Sequence, residues 1–504
     1  MVALANATTV VSIMSRLDAL GVKRQRMTVD SRTVSTGDVF VAIPGSIVDG
    51  RNFVALAFAQ GAAVVLREAS NVTAKNDDSR VIDVENLSAQ LGDIADAFYG
   101  HPSSSLRVIG ITGTNGKTSI ANWLSQALSE LNISCGVIGT LGVRLSAKTW
   151  STNNTTPDAA HLQTILRDLK DGGALAVAIE VSSHALELHR VTGTRFDAVV
   201  FTNLTQDHLD FHGTMQAYGA AKAKLFTDYP VAHRIINADD EFGAQLVAKK
   251  LPNTLSYGLD QGDVRGDVIA MNARGMRLSV SFAGKTVNVE TRLIGRFNAY
   301  NLLAVAATLI ASDVALATVA SILSTLTAVP GRMQRVNAVS EAVEPCVYVD
   351  YAHTPDALAK ALDTVRETRP RALTVVFGCG GDRDRSKRPV MGKIAADRAD
   401  RVYVTSDNPR SEQPLAIIDE IVAGIRINRR NALNAIVLRR DAIGQAIKAA
   451  NAKDAILIAG KGHETYQEIN GIRHPFSDFD EALSALADRN LLKHNPNEAR
   501  HVGK

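Results

Sequence analysis

The chain has little of what would mark it as secreted, membrane-spanning or bound to nucleic acid. Its 504 residues include three cysteines, Cys135, Cys346 and Cys379. They lie far apart, in neither a metal-ligand spacing nor a disulfide framework, which suits a reducing compartment. The formal net charge is only +3, and Lys and Arg form no long block, so charge gives no reason to expect nucleic acid. Met1–Asn6 carries no basic segment leading into an apolar core, so no secretory signal is expected and a cytoplasmic location is. The longest apolar stretch, Leu302 to Ala311, contains Thr308 and is too short for a bilayer. It predicts a buried helix, and no membrane span is expected. Internal repeats and low-complexity tracts are also missing.

What is present is an ordinary globular composition, 46% hydrophobic, and a length that suggests about three domains. The expected boundaries are 1–104, 105–336 and 337–504. The first segment has strand-like Val39–Ile43, closed by Pro44-Gly45, and Ala62–Leu66, and ends in the linker-like Tyr99–Ser105. From 106 onward, apolar runs alternate with helical stretches. Leu106–Ile109, Ala174–Ile179 and Phe196–Phe201 read as strands of a parallel sheet buried on both faces. Arg277–Phe282 alternates, as in an antiparallel hairpin, and Pro330-Gly331 breaks the chain. Beyond 337, Leu373–Phe377, Val402–Val404 and Ile456–Ile458 each run into a polar loop containing glycine or proline. The predicted fold class is therefore α/β. Open sheets of this kind bind ligands at the carboxyl ends of their strands.

The most specific signal follows Leu106–Ile109. Residues 110–119 read Gly-Ile-Thr-Gly113-Thr114-Asn115-Gly116-Lys117-Thr118-Ser119. A strand entering a glycine-rich turn and then Lys-Thr is a phosphate cradle. Glycines admit phosphate oxygens close to backbone N–H groups, and the next helix aims its positive end at the same anion. Lys117 would reach the terminal phosphates and the Thr118 hydroxyl would hold Mg²⁺. The strict pattern needs glycine where Ile111 stands, so this is a variant P-loop, with glycines at 110, 113 and 116.

Three further groups of residues draw attention. Glu180, at the tip of a strand downstream of the loop, occupies the place of a Mg²⁺-organising carboxylate, where Asp is usual. Asp207, His208, Asp210 and His212 crowd the loop after Phe196–Phe201, which is either a ligand set or a polar loop with a capping Asp. Lys222 and Lys224 fall on different faces of a helix-like stretch, where a lysine is ordinarily a solvated charge.

Taken in order, Gly113–Thr118, Glu180-Val-Ser-Ser-His184, Asn203-Leu-Thr-Gln-Asp-His208 and Ala221-Lys222 resemble the motifs of the Mur ligases. These are ATP-dependent, amide-forming enzymes of peptidoglycan precursor synthesis, and so of cell-wall biogenesis, cell shape and division. Val349-Asp-Tyr-Ala-His-Thr-Pro-Asp-Ala-Leu358 and Gly460-Lys-Gly-His-Glu464 resemble the branch that adds the third peptide residue. The resemblance runs from Asp30-Ser31-Arg32 to Glu464. It implies a UDP-binding N-terminal domain, a central P-loop ATPase domain with a parallel sheet and a C-terminal Rossmann-like domain. It also implies ATP as co-substrate, Mg²⁺, and a CO₂-derived carbamate on Lys222, which would turn a cation into an oxygen ligand. The substrates implied are a UDP-N-acetylmuramoyl dipeptide and a diamino acid, and a monomer is expected.

The roles the resemblance implies fall into four sets. Thr118, Glu180, His208 and carbamylated Lys222 organise Mg²⁺, and Lys117, Glu180, His208 and Lys222 form the catalytic group. Gly113, Thr114, Asn115, Gly116, Lys117, Thr118, Ser119, Asn298, Asn301, Arg335, Asp350 and His353 serve ATP. Val29, Ser31 and Ser46 meet the uridine, while Asn154, Thr155, Thr156, Ser182 and Arg190 hold the sugar-peptide. Leu188 stands where many relatives carry a Gln. Arg388, Asp407, Asn408, Pro409, Arg410, Gly460 and Glu464 bind the added amino acid.

Within the family, Asp407-Asn-Pro-Arg410 accompanies meso-diaminopimelate, and lysine-adding members lack the Arg. A distal carboxylate suits a bidentate Arg, whereas the ammonium of lysine would be repelled. Taken alone, without the family resemblance, Arg410 reads rather as a surface turn arginine after Pro409. The alternatives are L-lysine or another diamino acid as the added residue, or the activity of folylpolyglutamate synthetase, which shares the ATPase core. A regulatory GTPase would need Asn-Lys-x-Asp, which is not found.

Overall fold

The structure, a computed structural model, describes residues 2–45, 48–70, 78–152, 154–336 and 344–494. The chain packs as two compact units. One comprises Met1–Gly266, Val280–Val287 and Tyr300–Ile322; the other comprises Asp267–Ser279, Asn288–Ala299 and Leu323–Lys504. No helix among the described residues is long and apolar enough to cross a membrane.

The first unit opens with a four-stranded parallel sheet, Met27–Thr28, Val39–Ala42, Val64–Glu68 and Val81–Val84, in sequence order. Successive residues of a strand face opposite sides, which explains its unbroken apolar runs. Val39, Val41, Val64 and Leu66 meet Ile13, Leu17, Leu91 and Ile94 of two helices, Val2–Ala19 and Leu87–Phe98. Phe40, Ala42 and Val65 meet Ala57 on the other side.

The same unit holds the parallel core of a larger sheet. Its strands lie in the order Thr254–Gly258, Val231–Asn237, Phe196–Phe201, Arg107–Thr112, Ala176–Glu180 and Cys135–Gly139. Arg107–Thr112 is thus central, with Phe196–Phe201 on one side and Ala176–Glu180 on the other. The ends of these three strands converge on one edge. Antiparallel strands Gly142–Leu145 and Lys148–Trp150 extend one side. Val264–Asn272, Gly275–Phe282 and Lys285–Thr291 extend the other, contributing residues to both units. Two-residue links join these last three, so they run antiparallel, as the alternating sequence predicts.

Two expectations need adjustment. Gly110 lies inside the central strand rather than in the turn: a β-carbon there would come within 2.9 Å of the Phe196 ring. It is a packing glycine, and the cradle's own glycines are 113 and 116. The strand expected from Ala174 begins at Ala176, because the Ala174 N–H closes the preceding helix on the Leu169 carbonyl at 2.9 Å. The predicted buried helix spans Arg296–Ala311, and Leu302 to Ala307 are fully buried.

The second unit contains a six-stranded sheet. Gln334–Arg335 pairs antiparallel with Cys346–Asp350, followed by parallel Ala455–Ala459, Leu373–Phe377, Arg401–Val404 and Leu433–Ala435. Both faces are covered. Leu373, Val375 and Phe377 pack on Leu358, Leu362, Met391 and Ile421. Val376, Ile456 and Ile458 pack on Ile443, Ile447 and Leu486. The strand ends at Val404 and Ala459 open into the loops beginning at Asp407 and Gly460.

Candidate active site

The loop after the central strand has the backbone a phosphate cradle needs. Gly113 and Gly116 sit at φ of 146° and 92°, a region hostile to side chains. Neither tolerates a β-carbon: at Gly113 it would collide with the Thr202 hydroxyl, and at Gly116 it would lie 2.5 Å from the Asn301 side-chain oxygen. The loop is tied to the neighbouring strand end. The Thr114 N–H donates to the Asn203 carbonyl at 2.8 Å, the Asn115 N–H to Asn203 Oδ1 at 3.0 Å, and the Thr202 hydroxyl to the Asn115 carbonyl at 2.7 Å. Helix Lys117–Glu130 starts immediately after, with Ser119 in its first turn, so its N-terminal dipole faces the loop. Lys117 Nζ curls back onto the Gly113 and Thr114 carbonyls at 2.8 and 2.9 Å.

Glu180 lies beneath this helix, 1% exposed. It accepts from the Thr118 hydroxyl at 3.0 Å, the Thr140 N–H at 2.9 Å and the Thr140 hydroxyl at 3.2 Å. Gly139 is required here because a β-carbon would strike the carboxylate. A buried carboxylate surrounded by neutral donors, with no ion pair among the described residues, fits a divalent cation.

Lys222, fully buried on helix Met215–Thr227, donates to the Gly113 carbonyl at 2.9 Å, and its Nζ lies 4.4 Å from the centre of the Tyr218 ring. Burial, with Lys117 nearby, holds its amine well below the usual lysine range. The solvated-charge reading of this helical lysine is thus excluded. His208 is placed differently. It is exposed, lies 3.4 Å from Asp207, and its ring neighbours His184 at 4.8 Å and Tyr218 at 6.1 Å. Among the described residues, no group of three His, Cys, Asp or Glu side chains forms a metal cage. The residues brought together are therefore Thr118 and Glu180 on one side of the loop and Lys222 on the other.

The residues expected to hold the sugar-peptide include Thr156 and Ser182, which lie beside Glu180. The Thr156 hydroxyl donates to the Glu180 carbonyl at 2.8 Å and accepts from the Ser182 N–H at 3.1 Å. Ser182 caps the helix Ser183–Glu187, and Arg190 reaches the Thr156 carbonyl at 3.2 Å. Arg190 makes no ion pair among the described residues, and burial lowers its pKa from the ordinary arginine range. Such a guanidinium suits an anionic ligand. Thr155 meets Thr140 at 3.2 Å, Asn154 accepts from Thr152, and Leu188 is 48% exposed. In the first sheet, Ser31 opens a short helical turn capped by Asp30, whose carboxyl Arg32 holds below its ordinary range. Val29 lies just before that cap, and Ser46 lies outside the described residues.

The remaining ATP-side residues fall in two places. Asn301 stands against Gly116 in the first unit. In the second unit, Asn298 donates to the Ile294 carbonyl at 2.7 Å and Arg335 to that of Ala273 at 2.7 Å. Asp350 accepts from the Met333 and Ala352 N–H groups at 2.7 and 2.9 Å, and His353 folds onto the Tyr351 carbonyl at 2.9 Å.

The loops at 407 and 460 interlock. Gly460, at φ 115°, has Asp407 Oδ2 where a β-carbon would point. Asn408 Nδ2 donates to Glu464 at 2.8 Å, and the buried Lys461 donates to Asn408 Oδ1 at 3.0 Å and Glu464 at 2.9 Å. Past Pro409, Arg410 takes φ 52°, fixed by its N–H to the Glu468 carbonyl at 3.0 Å and its carbonyl to the Asn470 N–H at 2.7 Å. Its guanidinium donates to the Gly381 carbonyl at 2.7 Å and has no carboxylate partner among the described residues. Arg410 is therefore not a solvated turn residue.

Arg388 departs from expectation. It is fully buried, and its two terminal nitrogens are held by two carboxylates: Glu412 at 2.7 and 2.9 Å and Glu420 at 2.9 Å, with Nε buried and unpartnered among the described residues. It is not available to a ligand carboxylate. Arg383, on the loop that precedes the helix Lys387–Arg398 carrying Arg388, is exposed, makes no ion pair among the described residues, and flanks Gly380 together with the Arg410 guanidinium. Sequence reasoning also missed Thr140, Lys461 and Tyr218. Only Lys461, adjacent to Gly460, lay inside a motif that could have flagged it.

Three family models match the chain: "Mur ligase family, catalytic domain" at 25–99, "Mur ligase middle domain" at 111–309 and "Mur ligase, glutamate ligase domain" at 331–462. The chain is 47% identical to the UDP-N-acetylmuramoyl-L-alanyl-D-glutamate--2,6-diaminopimelate ligase of Chromobacterium violaceum, over 94% of this chain and 97% of the relative. It is also 47% identical to the enzyme of that name from Pseudomonas putida, over 92% and 95%. A solved structure of a ligase of the same name aligns with TM-score 0.69 and 35% identity, over 92% of this chain and 95% of that one. The MurF ligase of Thermotoga maritima in complex with ADP shares the fold, with TM-score 0.63 and 19% identity over 93% and 99%. With its phosphate loop, its three α/β sheets and these relatives, the chain belongs to the Mur ligase family.

Proposed function

We propose that the protein is an ATP-dependent ligase that joins meso-2,6-diaminopimelate to UDP-N-acetylmuramoyl-L-alanyl-D-glutamate, releasing ADP and phosphate. In this reading residues 1–104 take the uridine end, 105–336 take ATP and 337–504 take the amino acid, in a cytoplasmic monomer. One observation carries the choice of amino acid. The Arg410 guanidinium is held on the Gly381 carbonyl beside Arg383, while Asp407 lies against Gly460 and Glu464 accepts from Asn408 in the adjoining loops. An amino-acid head offers a carboxylate to the first pair and an ammonium to the second. Arg383, rather than the buried Arg388 that is already paired with Glu412 and Glu420, is the second cation of this reading.

The D-glutamyl γ-carboxylate attacks the γ-phosphorus of ATP, the bond to ADP breaks, and an acyl phosphate forms. The neutral amine of the amino acid then attacks the acyl carbon and phosphate leaves. Lys117 moves from the Gly113 and Thr114 carbonyls to the transferring phosphate, whose developing charge it offsets. Arg190, Thr156 and Ser182 orient the peptide, so most of the rate enhancement is positioning. Mg²⁺, when bound, neutralises phosphate charge; Thr118 and Glu180 would hold it, with His208 and a carbamate on Lys222. The Lys222 amine, held toward its neutral form, is the form that adds to CO₂ with loss of a proton.

Phosphate release tests the reading, with the UDP-sugar dipeptide present and either no amino acid, meso-diaminopimelate or L-lysine added. Turnover is expected with diaminopimelate alone. Equal turnover with no amino acid added would remove the ligase reading.

A further inference from the structure

An ion pair buried at both ends lies directly before the loops at 407 and 460. Arg439 and Asp478 are both fully buried, joined by two 2.7 Å hydrogen bonds from Nε and Nη2. The guanidinium is not used up by Asp478. Nη2 also donates to the Ala459 carbonyl at 2.9 Å and Nη1 to the Ser406 carbonyl at 3.3 Å. Ser406 immediately precedes Asp407, and Ala459 immediately precedes Gly460. The strands carrying them are not neighbours, since Leu373–Phe377 lies between them. Each pairs with that middle strand, Val404 opposite Phe377 and Ile458 opposite Val376, so the guanidinium links directly two strand ends that the sheet links only through a third.

We infer that the Arg439–Asp478 pair is a clamp that fixes the spacing of the Asp407–Arg410 and Gly460–Glu464 loops, and so positions the groups that recognise the added amino acid. Four donations from one planar guanidinium define a plane and two distances, which a lysine ammonium cannot reproduce. The fit between the loops is tight enough for this spacing to matter. Gly460 leaves no room for a β-carbon beside Asp407, and Asn408 bonds Glu464 across the gap at 2.8 Å. A simple stability role would not require the same guanidinium to bind the last carbonyls before both loops. Arg439 touches no substrate; it is a positioning residue, and this inference rests on the amino-acid reading of the loops given above.

The test uses the full-length enzyme and steady-state kinetics with each of the three substrates varied in turn. The variants are Arg439→Lys and Asp478→Asn, with Arg410→Ala as reference. The clamp predicts that KM for diaminopimelate rises about tenfold or more in both clamp variants. KM for ATP and for the UDP-sugar dipeptide stays within about twofold, and kcat at saturating diaminopimelate within about threefold. Equal losses for all three substrates, an unchanged diaminopimelate KM in a folded variant, or two variants that both melt below the assay temperature would each overturn it, leaving the pair a fold element. The reference keeps the two readings apart. If Arg410→Ala leaves the diaminopimelate KM untouched, the loop assignment itself fails. If Arg410→Ala raises it and the clamp variants do not, only the clamp fails.

Discussion

At the phosphate loop, Lys117 and Lys222 both donate to backbone carbonyls, those of Gly113 and Thr114. At the amino-acid loops, by contrast, side-chain carboxylates meet side-chain cations at nearly every turn: Lys461 with Glu464, and Arg388 with Glu412 and Glu420. A carbonyl is a weak partner that a phosphate can displace, so the first region is poised for one kind of ligand, a polyanion. The second region spends most of its charges on itself. In the proposed reading its selectivity lies in the two cations that have no carboxylate partner among the described residues, Arg383 and Arg410. The comparison teaches that a binding arginine here is recognised by what it does not pair with.

The sharpest way to break the first half of this comparison is Lys117→Ala. Loss of a group on the transferring phosphate predicts a fall in turnover of at least ~10³-fold with the fold retained; near-normal phosphate release from a folded variant would contradict it. Lys222→Ala is expected to be nearly inactive, and partly rescued by a small added carboxylate.

The second half is tested by Arg410→Ala. Removing one partner of a buried arginine–carboxylate contact predicts a cost of ~2–5 kcal/mol, hence roughly 30-fold to several thousand-fold in kcat/KM for diaminopimelate. Arg410→Lys does not restore it, because an ammonium cannot make the fork. Arg383 and Arg388 then separate in opposite directions. Arg383→Ala raises the diaminopimelate KM with little change in thermal stability. Arg388→Ala strands Glu412 and Glu420 and destabilises the fold, by about 3–5 kcal/mol if it behaves as a broken buried pair, read as a lowered unfolding temperature. If both variants lose stability alike, the distinction between paired and unpaired arginine is wrong.

The smallest expected effect concerns pH. Folding places Lys222 where its amine favours the neutral form, so the folded chain gives up a proton that the unfolded chain keeps. This costs stability below the ordinary lysine pKa of 10.5, and the cost fades as pH rises toward that value. In CO₂-free buffer, Lys222→Met therefore raises the unfolding temperature at pH 7, and the gain shrinks toward pH 10. A gain that grows with pH would have the wrong sign.

Much of this was legible in the sequence where the signal is local. A strand, a glycine turn and Lys-Thr are contiguous, and so are the unbroken apolar runs that mark parallel strands buried on both faces. Gly110 was misread because a packing glycine and a loop glycine look alike until Phe196, far along the chain, is seen against it. Arg383 and Arg388 could not be told apart for a similar reason. Which of two arginines five residues apart, one on a loop and one in the helix after it, is buried is decided by Glu412 and Glu420, on other parts of the chain. Lys222 needed the family resemblance, since no helical spacing announces that a lysine faces a phosphate loop. Thr140 lies in no motif at all, and only the fold brings it to Glu180.

The central claim is that Arg410 selects the amino acid. Its most direct test is a competition in one vessel, with meso-diaminopimelate and L-lysine equimolar and the UDP-tripeptide products resolved by mass. The account predicts almost exclusively the diaminopimelate product from the wild-type chain, and from Arg410→Ala a steep fall in that product with a relative rise in the lysine one. Comparable amounts of both products from the wild type, or an unchanged ratio in Arg410→Ala, would contradict it.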